Sequence, residues 1–154
     1  MLTDEEKNEI IAELKAAEPR QVVAIEALMV VQKHRRWVSD EAIKDVAELA
    51  GATPAELDAV ATFFPFIYRK RVGQHIIFLC DSMVCWSMGE VSLHEMIRTK
   101  LGIGFGETTK DDRFTLLPVS CLGACDRSPA MMVDDELYGL VTPELLEEIL
   151  EKYQ

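Results

Sequence analysis

No apolar run in this sequence approaches the roughly 20 residues that span a bilayer, so direct membrane insertion is not expected. Nor is there an excess of positive charge. Sixteen Lys and Arg against 27 Asp and Glu leave a net charge of −11, a balance that repels phosphate backbones and argues against nucleic-acid binding. The opening stretch, Met1-Leu2-Thr3-Asp4-Glu5-Glu6, is acidic and resembles neither a signal peptide nor an Arg-rich transit peptide. Internal repeats and low-complexity tracts are missing. So are a Ser/His/Asp set and a paired-carboxylate motif, which leaves hydrolysis without support. His34, His75 and His94 are scattered and none sits in a Cys-x-His arrangement, which counts against a Rieske-type centre. Aromatics are sparse outside Phe63, Phe64, Phe66 and Tyr68. That cluster is expected in the core, with an interface anchor as the other reading.

What remains is 154 residues of globular composition, enough for one domain or for a small domain with a helical extension. Residues 1–72 read as a helical bundle. Thr3-x-x-Glu6 is a capping box ahead of Ile10, Ile11 and Leu14. Pro19 opens a second helix with Val22, Ile25, Leu28 and Met29 on its apolar face, and Lys33-His34-Arg35-Arg36 at its C-terminal end suits the helix dipole. Ser39 caps a third helix carrying Ile43, Val46 and Ala50, stopped by Gly51. Thr53-Pro54-Ala55-Glu56 starts a fourth that ends near Phe63-Phe64-Pro65. Arg69-Lys70-Arg71 reads as a charged connector.

Residues 73–154 change pattern. His75-Ile76-Ile77-Phe78-Leu79 reads as a strand that delivers Cys80. A helix over 88–100 carries Val91, Leu93, Met96 and Ile97, and Phe114-Thr115-Leu116-Leu117 is a second strand leading towards Cys121. Ala130–Val133 and Leu137–Leu140 form a hairpin around Asp134-Asp135-Glu136, and Thr142-Pro143-Glu144 opens a last helix. The order β-α-β-β-β-α, with a crossover long enough for a parallel pair, describes a small α/β sandwich. Gly102-Ile103-Gly104-Phe105-Gly106 follows a helix rather than a strand, so it reads as a helix stop and loop, not a dinucleotide loop. Charge divides unevenly: 10 basic and 13 acidic side chains in residues 1–72, against 6 and 14 in residues 73–154.

All four cysteines lie in that acidic second part, as Cys80-x4-Cys85 and Cys121-x3-Cys125, each pair following an expected strand. Disulfides suit an exported chain, and no export signal is seen. Structural zinc usually takes tighter turns with two residues between ligands, though it is not excluded. A dithiol redox site wants Cys-x-x-Cys. Four unrelated core cysteines fit poorly with turn-rich surroundings at Gly89, Gly123 and Pro129. An iron–sulfur cluster meets the constraints best, with four thiolates on loops wide enough to wrap it. Gly89 and Gly123 are expected to let backbone amides approach the sulfurs and raise the potential. Asp81 and Asp126 act oppositely, with Arg127 partly offsetting Asp126, and a low potential is the expectation.

The stretches Cys-Asp-Ser-Met-Val-Cys (80–85) with Gly89, and Leu-Leu-Pro-Val-Ser-Cys-Leu-Gly-Ala-Cys-Asp (116–126), resemble the NuoE-type, thioredoxin-like [2Fe–2S] subunits of the NADH dehydrogenase module of respiratory complex I. Ile25-Glu26-Ala27-Leu28, Val60-Ala61-Thr62-Phe63-Phe64 and Met131-Met132-Val133-Asp134 extend the resemblance over almost the whole chain. It implies an N-terminal helical bundle (1–72) followed by a thioredoxin-like [2Fe–2S] ferredoxin domain (73–154). It also implies that Cys80, Cys85, Cys121 and Cys125 ligate one [2Fe–2S] cluster. FMN and NADH belong, on this reading, to a larger flavoprotein subunit rather than to this chain. That subunit and other complex I subunits are the implied partners, in a peripheral arm on the cytoplasmic side of a bacterial inner membrane (the matrix side in a mitochondrion). The resemblance further implies a cluster on the far side of the flavin from the main electron chain, with a storage or tuning role expected. The small subunit of an NAD-linked hydrogenase or formate dehydrogenase is the alternative within the family, and a zinc-stabilised interaction module the alternative outside it. Two residues depart from the pattern: Trp86 stands where His is common and Phe64 where Tyr is usual. Trp86 is expected against the cluster.

Overall fold

The computed structural model describes residues 1–16 and 20–153. The chain divides into two compact units, Met1–Arg71 and Val72–Gln154.

The first unit holds four helices: α1 (Asp4–Ala16), α2 (Arg20–Arg35), α3 (Asp40–Ala50) and α4 (Pro54–Phe63). Their starts are set by side-chain caps. Thr3 and Glu6 exchange hydrogen bonds with each other's backbone N–H groups, as do Thr53 and Glu56, and the Ser39 hydroxyl accepts from Ala42 N–H. Gly51 ends α3 in the left-handed conformation. The buried face of α2 is Ala24, Ala27, Leu28 and Val31, at one helical spacing, packed with Ile10, Val38, Ile43, Val46 and Leu57. This corrects the expected faces: Ile11 and Met29 point to solvent, because two alanines rather than larger residues form the seam. Pro19 and the side chain of Val22 lie outside the described residues.

Polar contacts complete the unit. Buried Glu6 takes two hydrogen bonds from Arg35, at 2.6 Å and 2.7 Å, and that guanidinium holds its carboxyl well down, at about 2. Arg69 is more than a connector. It bonds Asp40, Asp58 and the Val38 carbonyl, tying the start of α3 to α4. The aromatic cluster is not core: Phe63 is 80% exposed, and Phe64 and Phe66 are exposed too.

The second unit is a mixed five-stranded sheet, in the order β2-β3-β1-β4-β5. Its elements are β1 (His75–Cys80), α5 (Met83–Ser87), α6 (Glu90–Leu101), β2 (Glu107–Thr108), β3 (Phe114–Val119), β4 (Met131–Val133), β5 (Glu136–Tyr138) and α7 (Pro143–Lys152). The central strand β1 runs parallel to β3, from His75 opposite Phe114 to Cys80 opposite Val119, and antiparallel to β4. Ile77, Leu79, Leu93, Ile97, Phe114, Leu116, Met131, Val133, Leu146 and Ile149 form the core that joins sheet and helices. Three elements were not expected from sequence: α5, β2 and a 3-10 turn at Cys125–Arg127. The expected helix over 88–100 is broken at Gly89, which starts α6 without a side-chain cap, and Val91 on it is exposed.

Candidate metal centre

Parallel pairing decides where the cysteines go. Because β1 and β3 run the same way in register, both leave the sheet at the same edge, where Asp81 N–H donates to the Val119 carbonyl. The chain after β3 passes Cys121 and Cys125 and returns as β4 on the other side of β1, where Cys80 N–H donates to the Ala130 carbonyl. The segment carrying the second cysteine pair is therefore anchored on both flanks of the strand that carries the first.

The two pairs sit in different surroundings. Cys80 and Cys85 are 2% and 1% exposed, whereas Cys121 and Cys125 are exposed, and all four are free thiols. Ser82 caps α5, its hydroxyl accepting from Cys85 N–H and meeting the Cys80 sulfur, both at 3.4 Å. The Cys85 thiol faces the hydroxyl of buried Ser128 at 3.6 Å, and that hydroxyl donates to the Cys125 carbonyl at 3.0 Å. On the open side, Gly123 N–H donates to the Cys121 sulfur at 3.3 Å. Gly123 does so with φ +76°, a conformation that residues with a Cβ rarely adopt.

Hydrogen bonds knit the thiols together. Burial pushes the Cys80 thiol up, but the Ser82 hydroxyl, the N–H groups of Leu122 and Ser82, and the Cys85 thiol outweigh it and hold Cys80 below the ordinary value. The Leu122 bond spans the two loops. Cys125 is pushed up instead, first by its hydrogen bond and charge interaction with Cys121, then by burial and by the negative charges of Cys85 and Cys80. All four sulfurs therefore lie within electrostatic reach, arranged as two contacting pairs. Among the described residues, no three or more His, Cys, Asp or Glu side chains are gathered around one point as a single ion requires.

Other expectations fare unevenly. The Gly89 N–H bonds the Trp86 carbonyl, not a sulfur, because Gly89 closes the turn between α5 and α6. Trp86 shares α5 with Cys85 but is 60% exposed. Asp126 lies beside Arg127 at 3.8 Å. In the glycine loop, Gly102 caps α6 and the Gly104 N–H is taken by the Glu107 carboxylate at 2.7 Å. The histidines have other partners: His34 meets Glu9, His75 meets Asp134, and His94 stacks on Phe105.

Sequence reading missed Ser82, Ser128 and Gly139. Ser82-x-x-Cys85 has capping spacing and was legible in principle. Ser128 carries no signal. Gly139 matters by closeness: a Cβ there would lie 2.6 Å from the Arg127 Cβ and 2.9 Å from its carbonyl oxygen, in the segment whose Leu140 N–H holds that carbonyl.

The donor set is four thiols with backbone and hydroxyl hydrogen bonds around them, which suits a soft, sulfide-bridged iron centre. Comparison with known proteins agrees. Residues 7–154 match the thioredoxin-like [2Fe–2S] ferredoxin family. The chain is 47% identical over 153 residues to the E subunit of the NADH-quinone oxidoreductase of Buchnera aphidicola, 46% to that of Pseudomonas aeruginosa and 42% to that of Escherichia coli K12. Each alignment covers 99% of this chain and 92–94% of the relative. Among solved structures, an NAD+-reducing [NiFe]-hydrogenase shares the fold, with a TM-score of 0.69 at 21% identity over 82% of this chain, which spans 22% of the hydrogenase chain. The chain belongs to the thioredoxin-like [2Fe–2S] ferredoxin family.

Proposed function

We propose that this chain is the small electron-transfer subunit of an NADH:quinone oxidoreductase, holding one [2Fe–2S] cluster on Cys80, Cys85, Cys121 and Cys125. The observation that carries the reading is the gathering of two contacting thiol pairs at one sheet edge, one pair from each loop. Cys80, Cys85, Cys121 and Cys125 would hold a two-iron cluster as thiolates, and when bound it would supply one-electron chemistry. The chain's own part is to hold the sulfurs, exclude water from Cys80 and Cys85, and aim Leu122 and Gly123 N–H groups at sulfur. Hydride chemistry belongs to FMN and NADH on a larger flavoprotein subunit.

Residues 1–72 form the helical N-terminal bundle and residues 73–154 the thioredoxin-like [2Fe–2S] domain. The flavoprotein docks beside the thiols: Met83, Val84, Trp86, Met88 and Val91 expose an apolar surface on α5 and the start of α6, next to Cys85. No described helix is long and apolar enough to cross a membrane. The chain is held in a peripheral arm by its partners, at the cytoplasmic face of a bacterial inner membrane. A second reading, the corresponding part of an NAD-linked hydrogenase, draws on the fold shared with the hydrogenase chain.

Anaerobic purification from the native host tests both. About two irons and two acid-labile sulfides per chain, an S = 1/2 resonance after strong reduction, and co-purified FMN protein with quinone-linked subunits are expected. Zinc in place of iron, or no resonance, overturns the cluster; a co-purified nickel subunit selects the second reading.

A further inference from the structure

We propose that Ser128 is a tuning residue for the cluster, its hydroxyl acting as a one-proton rotor between the Cys85 sulfur and the Cys125 backbone carbonyl. The inference rests on the cluster reading above. Ser128 is 4% exposed, so water cannot readily take over either contact. Its oxygen lies 3.6 Å from the Cys85 sulfur and 3.0 Å from the Cys125 carbonyl oxygen, and a hydroxyl has one proton to give. With Cys85 as a thiol, the chain of donors is complete: the thiol gives to Ser128, and Ser128 gives to the carbonyl.

Metal binding removes the thiol proton, because the thiolate is the ligand. Ser128 then loses its donor and faces two acceptors, a neutral carbonyl and a negatively charged sulfur. Donation to a charged acceptor is roughly twice as strong as to a neutral one, and reduction makes the sulfur more negative still. The proton stays on the Ser128 oxygen throughout, and its balance between the two acceptors shifts further towards Cys85 as one electron arrives. A donor that bonds the reduced state more strongly raises the midpoint potential. Ser128 also links the buried pair to the open pair, since turning towards Cys85 releases the backbone of Cys125. Ser82 is held differently: its oxygen accepts from Cys85 N–H as the α5 cap, while its proton stays available to the Cys80 sulfur.

The experiment compares wild type, Ser128→Ala, Ser128→Thr and Ser128→Cys in the native complex, by redox titration of the reduced-state resonance and by resonance Raman in H2O and D2O. Iron and sulfide are counted for each. The expectation for Ser128→Ala at full iron and sulfide content is a lower midpoint. At a fixed potential, its ratio of reduced to oxidised protein falls about tenfold, 59 mV for a one-electron couple. Ser128→Thr, which keeps the hydroxyl, restores the wild-type value, and Ser128→Cys, a weaker donor, falls between. The D2O shift of an iron–thiolate stretch is present in wild type and lost in Ser128→Ala. An unmoved or raised midpoint in loaded Ser128→Ala overturns the proposal, as does a loaded Ser128→Thr that behaves like Ala. If Ser128→Ala takes up no iron, equal midpoints for Ser128→Thr and Ser128→Cys overturn it. Wild-type protein without iron sinks the cluster reading itself, which is a separate outcome.

Discussion

The two cysteine loops start from strands of the same sheet edge and end in opposite environments. Cys80 and Cys85 are buried and each faces a serine hydroxyl, while Cys121 and Cys125 are open to solvent and lean on each other. The cause lies in how the chain continues beyond each strand. After β1 it coils at once into α5, whose Ser82 cap folds Cys85 back under the sheet edge. After β3 it runs as a loop through Gly123 and a single 3-10 turn, with no helix to turn its sulfurs inward. The inner loop is organised by secondary structure, the outer one by individual hydrogen bonds.

Removing single thiols should separate the loops most sharply. Cys85→Ala is expected to abolish iron binding, because no solvent ligand reaches that position. Cys125→Ala should retain partial, labile iron with water as a replacement ligand. Iron content after gel filtration decides, and equal retention would erase the distinction.

The next effect is kinetic. In iron-free protein, iodoacetamide should label Cys121 and Cys125 on the order of a hundred times faster than Cys80 and Cys85, whose reaction waits for local opening. Because its thiol is raised, Cys125 labelling should keep accelerating above the ordinary thiol pKa, while that of Cys80, held low, should level off at a lower pH than Cys125. Site-resolved mass spectrometry across pH 7–10 reads both.

Gly139→Ala should cost about 1–3 kcal/mol, because its methyl group collides with Arg127 and displaces the anchor of the outer loop. Thermal unfolding of the iron-free chain measures it. Ser82→Ala should cost about 1 kcal/mol as a lost helix cap and loosen the inner loop alone. The smallest change is Asp126→Asn. It should raise the midpoint potential slightly, since Asp126 is well exposed and already offset by Arg127, so solvent screens most of its charge.

The capping residues and the two main strands were legible because they are local signals: Thr3, Ser39, Thr53 and Thr142 each start the helix that comes after them. So was the parallel pair, since the crossover between Cys80 and Phe114 is too long for a hairpin. What escaped was set by tertiary context. Met83–Ser87 is only five residues, too short to show a period, and becomes helical through its Ser82 cap. Glu107–Thr108 becomes a strand only because β3 lies beside it. Phe63, Phe64 and Phe66 look like core by composition, yet the seam of the helical unit is filled by Ala24, Ala27 and Leu28, leaving the rings outside. The four cysteines were readable as a set. Their division into a dry pair and a wet pair was not, because it follows from α5, whose five residues show no period.

Parallel registry between β1 and β3 also sets an order of events in the making of the protein. Cys85 and Cys121 are separated by 35 residues, and at about 5–20 residues per second a ribosome needs roughly two to seven seconds to pass from one to the other. During that interval the emerging chain holds two thiols and no strand to bring it the others. Contacts so distant along the chain close late in folding. On the proposed four-cysteine site, metal offered early would find only half of its ligands, so loading would follow closure of the crossover and docking of β3, with the sheet as its checkpoint.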